Sequence, residues 1–467
     1  LIDALATIHG TGNYQAPDHE SNWEALTHYQ GHGTYIVPYY QSGGFLGPGD
    51  SPTSRRLRRG NHNVAEYLGP VDFRQVKQVT DILMTKANDQ ANKVIKKHLA
   101  TSLKSTHSDT EGFSFYNFST ARQRLLRLTG AAGKAFELDK QPLASQDDGE
   151  DLLVDVSLPA YGRGAIVPTK QKASSPADSV SAGADFLENG LLRIEFDPQS
   201  GTICKMVDKS NGNELLVDNS HAFYFPQSEQ QVCLNSTVQL NGPLRGRIAF
   251  EIELTDGKGS ICRLTTRVSL DAGQPVATFE TDIMQTPDVA GNQWNNHLGV
   301  RFELAEVTAE ISTSHFNVLE PFHHRQIYSS YLLLAGDTLF LNTGNEFYTR
   351  DDGALSNILI MENEAARHFQ YAVGLPETNP VMQSRKWSQP CFIEAISEIE
   401  PQTCHSLIHF DSNDVELLSC RFHEGTLLLR IANTSASKVK TDLQTFGAIN
   451  SASITTLANS LLETLTV

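Results

Sequence analysis

The sequence predicts a multidomain chain that is helical first and β afterwards, an N-terminal helical bundle followed by β-sandwich domains. Three observations carry this. Phe73, Val76, Val79, Leu83, Ala87, Ala91, Val94 and His98 recur at helical spacing. Leu192, Ile194 and Phe196 instead alternate with Arg193, Glu195 and Asp197, the period of a half-buried strand. From Asp185 onward, short apolar runs separated by turn residues follow one another with no helix of convincing length, which means sandwiches and not an α/β sheet.

Element by element, Asp18 reads as the N-cap of a first helix with Trp23, Leu26 and Gln30 on one face. Between Gly31 and Pro52 the chain is rich in Gly, Pro and Tyr and reads as a structured loop. Leu57, Asn61, Val64 and Leu68 mark a second helix, ended by Gly69-Pro70. The third carries the long stripe, with Lys77, Lys86, Lys93, Lys96 and Lys97 mostly off it. Such helices bury their stripes on one another, so residues 1–105 are expected to form the bundle. After Lys104, Phe113, Phe115 and Asn117, then Leu125, Leu126 and Leu128, then Asp151–Leu158 are strand-like. With the polar segments Gln141–Glu150 and Thr169–Ala184 as loop and linker, residues 106–184 read as a small β-sandwich domain.

Residues 185–400 then form a large β domain and 401–467 a C-terminal β-sandwich. Across both, from Asp185 to the end, strands are expected at Ile248–Leu254, Ile261–Leu270, Val276–Ile283, Leu298–Leu304, Leu339–Asn342 and Leu427–Ile431. In Asn189–Leu216, turns at Pro198-Gln199-Ser200-Gly201 and Ser210-Asn211-Gly212-Asn213 fold three short strands into a meander. The apolar stretch Tyr331–Asn342 is broken by Gly336-Asp337 into two buried strands.

Composition bounds the function. The chain has 467 residues and a formal charge of −17, which opposes general binding to nucleic-acid phosphates. No apolar run reaches the ~18 residues that span a bilayer, and no signal peptide is visible at the N-terminus, so a soluble protein is expected. The first residue is Leu, as in a processed chain or a piece of a longer one. Six widely spaced cysteines without a C-x-x-C pair argue against zinc-finger or thioredoxin chemistry and read as buried free thiols. Asn117-Phe118-Ser119, Asn235-Ser236-Thr237 and Asn433-Thr434-Ser435 fit the glycosylation triplet.

Three segments carry a family resemblance: Trp23-Glu24-Ala25-Leu26 leading to Gln30-Gly31-His32-Gly33, then Phe115-Tyr116-Asn117, then Asn189–Leu216. With the domain order, they resemble the C-terminal region of α-mannosidases of glycoside hydrolase family 38. The resemblance implies that the large β domain is a supersandwich like that of galactose mutarotase. It implies zinc as the family's cofactor and mannose-containing glycans as partners. In the family, a W-x-x-L helix leads into Q-x-H-D, whose His ligates zinc and whose Asp contacts the metal-bound sugar. His32 matches the ligand, and Gly33 stands where the Asp would be.

One imidazole is too few, because catalytic zinc typically takes about three protein ligands. A retaining glycosidase also needs two carboxyl groups about 5 Å apart. The resemblance places those partners mostly in a catalytic domain upstream. His32 is therefore expected to be an incomplete metal site, no residue is assigned as catalytic, and the chain alone is expected to hold no zinc. The bland reading of His32 is a cap on a helix C-terminus.

Other constellations are weaker. Arg55, Arg56, Arg58 and Arg59 form a basic cluster that reads as a solvated helix face, or as an anion or sugar contact. Glu320 with His324, or His297 with His315, could be cast as the acid and base of a mutarotase-type site; adjacent His323-His324 on a strand would point apart. Trp294, Trp387, Tyr328, Tyr331 and Tyr348 are core filling or sugar-stacking rings. The expected function is a non-catalytic portion, or degenerate relative, of an α-mannosidase-like hydrolase. The alternatives are a stand-alone carbohydrate-binding β protein and a mutarotase- or lyase-type sugar enzyme.

Overall fold

A computed structural model describes Lys93 and residues 111–465, apart from positions 172, 174, 175, 177, 293, 316, 317, 352, 363, 365, 390, 398–403, 424, 425, 436, 446 and 456–460. The three helices expected within residues 1–105 lie outside these residues, except for Lys93, which is helical and exposed. The expected helical-bundle-then-β class is corrected: what is described is nearly all antiparallel strand, with one helix, Pro380–Ser388. Among the described residues the sheets bury their apolar faces against other strands.

That one helix, nine residues long, falls inside the stretch read as almost continuous strand with no helix of convincing length. Its signals are local. The Asn379 side chain accepts the Met382 backbone N–H at 3.1 Å, and Pro380 occupies the first turn, where its missing N–H costs nothing. Arg385 and Lys386 sit in the last turn, where positive charge suits the helix dipole.

The chain divides into two compact units, and the division falls within this helix. One unit contains the described residues of Ser175–Ser384. Its largest sheet has nine strands in the order Gln230–Asn241, Arg245–Thr255, Ser260–Asp271, Val276–Gln285, His368–Gly374, Thr338–Asn342, Leu332–Ala335, Ile311–His315 and Val318–Pro321. A five-stranded sheet runs Ala222–Tyr224, Leu298–Glu303, Ala354–Ile360, Phe347–Asp351, Gln326–Tyr328. The meander Leu192–Phe196, Ile203–Asp208, Glu214–Leu216 forms a third sheet with Phe186–Glu188 and Ser181–Ala182. Its turns are those expected, with Gly201 and Gly212 at φ 72° and 79°, a left-handed backbone that suits residues without a Cβ. All three sheets feed one core, to which Ile194, Phe250, Phe279 and Phe302 contribute. The strands Leu332–Ala335 and Thr338–Asn342 flank Gly336-Asp337 as expected.

The other unit contains the described residues of Lys97–Ser174 and Arg385–Val467. The strand Gly112–Asn117 is flanked by Gly162–Pro168 on one side and by Cys391–Ile396, far away in sequence, on the other. Arg122–Leu128, Asp151–Leu158 and Ser145–Asp148 form a three-stranded sheet that shares a core with it through Leu126, Leu128, Val154 and Phe115. The unit also holds two hairpins, Val415–His423 with Thr426–Asn433 and Ala452–Thr455 with Leu461–Leu465, and a long-range pair, Ile408–Phe410 with Leu443–Thr445.

All six cysteines are free, Cys262 and Cys420 buried and the other four half-buried. Among the described residues no helix is long and apolar enough to cross a membrane.

Candidate functional site

His32 and Gly33, with the Trp23–Leu26 segment and the Arg55–Arg59 cluster, lie outside the described residues. Among the described residues, no three His, Cys, Asp or Glu side chains converge to hold a metal ion.

Glu320 and His324 do not come together. Glu320 is exposed on the edge strand Val318–Pro321, and His323 and His324 are exposed in the loop that follows, not on a strand. His324 packs edge-on against Phe322 at 5.4 Å, and no hydrogen bond joins it to Glu320. His297 is buried, with its Nε2 paired to the Tyr224 hydroxyl. That is a satisfied core imidazole. His315 belongs to the strand Ile311–His315.

The aromatic candidates divide. Tyr348 is buried, with its hydroxyl accepting from Asn342 at 3.2 Å; burial drives its phenol well above the ordinary range. Trp387 is half-buried on the helix, and Tyr331 is exposed with φ 71°. Trp294 and Tyr328 share a neighbour that the sequence reading did not single out, Phe347. Their rings meet it edge-on at 5.8 and 5.5 Å. Tyr328 and Phe347 are register partners on adjacent strands, which brings their side chains together. Tyr328 remains 46% exposed, while Trp294 and Phe347 are half-buried. Beneath the ledge, buried Asn357 donates to the Asn345 and Phe347 carbonyls at 2.7 and 3.0 Å and so fixes the backbone that carries Phe347. The partly exposed rings of Trp294, Phe347 and Tyr328 can stack on the apolar face of a pyranose.

A second surface feature is a hollow of about 340 Å³ lined by Ser406, His409, Gln444 and Thr445. Its lining of hydroxyl, amide and imidazole groups suits a neutral polar ligand. Register brings it about, since His409 pairs with Gln444 and Ile408 with Thr445. Those residues lie far apart in sequence and give no shared signal.

A fully buried polar feature is His221, enclosed by Phe223, Phe279, Phe302 and Tyr371. Its Nε2 lies 2.8 Å from the Tyr371 hydroxyl, which lies 3.3 Å from Thr281 Oγ1, itself 3.1 Å from Thr266 Oγ1. Its Nδ1 has no partner. Burial pulls the imidazole from 6.5 down to about 3, so it is neutral at physiological pH. This chain of groups is walled off from solvent and belongs to the core.

The triplet Asn117-Phe118-Ser119 is also structural. Asn117 is fully buried; its amide donates to the carbonyls of Ser119, Thr120 and Pro159, and its oxygen accepts the Ser119 N–H. In the folded chain it offers no nitrogen to a glycan, whereas Asn235 and Asn433 are exposed.

These sheets and cores define an antiparallel, multi-sheet β-sandwich protein. The fold is similar to that of a glycosyl hydrolase family 38 protein from Enterococcus faecalis, with a TM-score of 0.68 and 13% identity over 99% of this chain and 66% of that one. It is similar also to an α-mannosidase from Enterococcus faecalis V583, with a TM-score of 0.65 and 13% identity over 95% of this chain and 61% of that one. The chain thus has an α-mannosidase-like fold and spans less than two thirds of the length of these structures. No protein-family model and no curated protein matches the sequence.

Proposed function

We propose that this chain is a non-catalytic, carbohydrate-binding portion, or a degenerate relative, of an α-mannosidase-like glycoside hydrolase. The observation that carries the reading is the fold likeness, which takes in 99% of this chain against a family 38 protein. Gly33, standing where the resemblance expects a sugar-contacting Asp, supports loss of chemistry, because glycine offers no oxygen to a hydroxyl. The ledge of Trp294, Phe347 and Tyr328 is the candidate for the sugar contact.

Calorimetric titration of the chain with methyl α-mannoside and α-linked mannobiose tests the binding half. Saturable binding that falls about tenfold in Tyr328→Ala, an exposed residue whose loss spares the core, is the expected result. No binding to any α-mannoside would overturn it.

A further inference from the structure

Three buried side-chain donors without a hydrogen-bond partner fall within positions 120–122: Thr120 Oγ1, Arg122 Nε and Arg122 Nη2. Arg122 opens the strand Arg122–Leu128 and is 7% exposed. It shares a face with Arg124, Leu126 and Leu128, the last two of which belong to the core. Part of its charge has a structural use. Its Nη1 donates to the Lys386 carbonyl, and Arg124 Nη1 donates to the Gln389 carbonyl at 2.6 Å. The two guanidinium groups thus receive the C-terminal carbonyl end of the helix Pro380–Ser388, where cations are favoured.

This use leaves one edge of Arg122 over. Nε and Nη2 lie side by side on the guanidinium and form the fork that grips a carboxylate with two parallel bonds. The same chain shows this fork in use: Arg245 holds Asp271 by Nε to Oδ1 at 2.5 Å and Nη2 to Oδ2 at 2.7 Å. At Arg122 the electrostatic neighbours are the like-charged guanidinium of Arg124 and the Cys391 thiol, which burial keeps neutral. Burial, then Arg124, pull Arg122 down to about 10, so it remains a cation at neutral pH. A buried cation facing a like charge, with two donors unmet, is costly unless an anion completes it.

We propose that Arg122, with the Thr120 hydroxyl beside it in sequence, forms a binding site for the carboxylate group of a small ligand, held on the Nε–Nη2 edge. The site is independent of the sugar ledge and stands or falls without it.

The test is thermal unfolding of the full chain titrated with sodium formate or acetate against sodium chloride at equal ionic strength. The expected result is saturable stabilisation by both carboxylates beyond that of chloride. Arg122→Lys keeps the charge at the helix end but not the fork, and is expected to weaken the carboxylate response about tenfold. Chloride acting as well as formate, or Arg122→Lys responding like the native chain, would overturn the proposal. If the variant does not fold, NMR of native chain labelled with ¹⁵N-arginine replaces it. A guanidinium Nε–H signal that moves saturably with formate but not chloride supports the site, and no such signal overturns it.

Discussion

Acidifying the protein from neutral pH should weaken the unit that holds His221, and the structure gives the size. In the fold this imidazole titrates only near 3, because burial disfavours its charge. In the unfolded chain it titrates near the ordinary 6.5. Below 6.5 the unfolded chain therefore binds a proton that the folded chain refuses, and stability falls as pH falls. Each pH step costs about 1.4 kcal/mol. Going from 6.5 to 5 removes about 2 kcal/mol, and the whole span to about 3 removes on the order of 5, beyond which both states are protonated and the loss stops.

The upper part of this window lies above the ordinary values of 3.8 and 4.5 for Asp and Glu, so carboxylates held down in the fold, such as Glu188 and Asp197, contribute mainly below it. Cys262, fully buried in the same core, reports the unfolding of this unit separately from the other. Urea titrations at a series of pH values, read by modification of Cys262 with a dipyridyl disulfide and peptide mass spectrometry, give the free energy. His221→Asn removes the titration while tolerating the left-handed backbone at φ 59°. It should be less stable outright but flatter with pH by about 1.4 kcal/mol per step. Parallel pH dependences for the native chain and the variant between 6.5 and 5 would refute the reasoning.

Three further outcomes follow from single groups. Tyr371→Phe deletes the hydroxyl that pairs with His221 Nε2 and Thr281, leaving the buried ring with neither nitrogen satisfied; a loss of about 1–3 kcal/mol in urea unfolding is expected. Asn117→Ala strips three backbone carbonyls and one N–H of their buried partner and should cost about 2–4 kcal/mol by the same method, while secretory expression of the native chain should leave Asn117 unglycosylated by mass spectrometry. Gly374→Ala would drive a Cβ into the Pro275 carbonyl oxygen and to 2.7 Å from Val276 Cα, both backbone. Neither can swing aside, so a drop in melting temperature equivalent to about 3 kcal/mol or more is expected.

The β part of the chain was legible where strand signals are local. Alternation in Leu192–Phe196 and the turn residues around Gly201 and Gly212 specify the meander without help from elsewhere. The helix Pro380–Ser388 carried its own start signal in Asn379-Pro380 but no apolar stripe, and at nine residues it was lost among strands. The pairing of Cys391–Ile396 with Gly112–Asn117 joins segments some 280 residues apart, and no local pattern encodes it. Of the rings that wall in His221, only Phe223 lies in its own segment; the others come from positions 279, 302 and 371, so the enclosure is not readable locally. Arg122 and Arg124 share a strand face with Leu126 and Leu128, so alternation alone does not show that a cation is buried there. Of the aromatic ledge, Trp294 and Tyr328 stood out as aromatics, but only register supplied Phe347 beside Tyr328.

The central claim is that this chain carries an α-mannosidase-like fold without the chemistry. Incubating the full chain with a chromogenic α-mannoside, with and without added zinc, tests it most directly. No turnover above buffer in either condition is the predicted result; zinc-dependent release of the chromophore, abolished by His32→Ala, would contradict it.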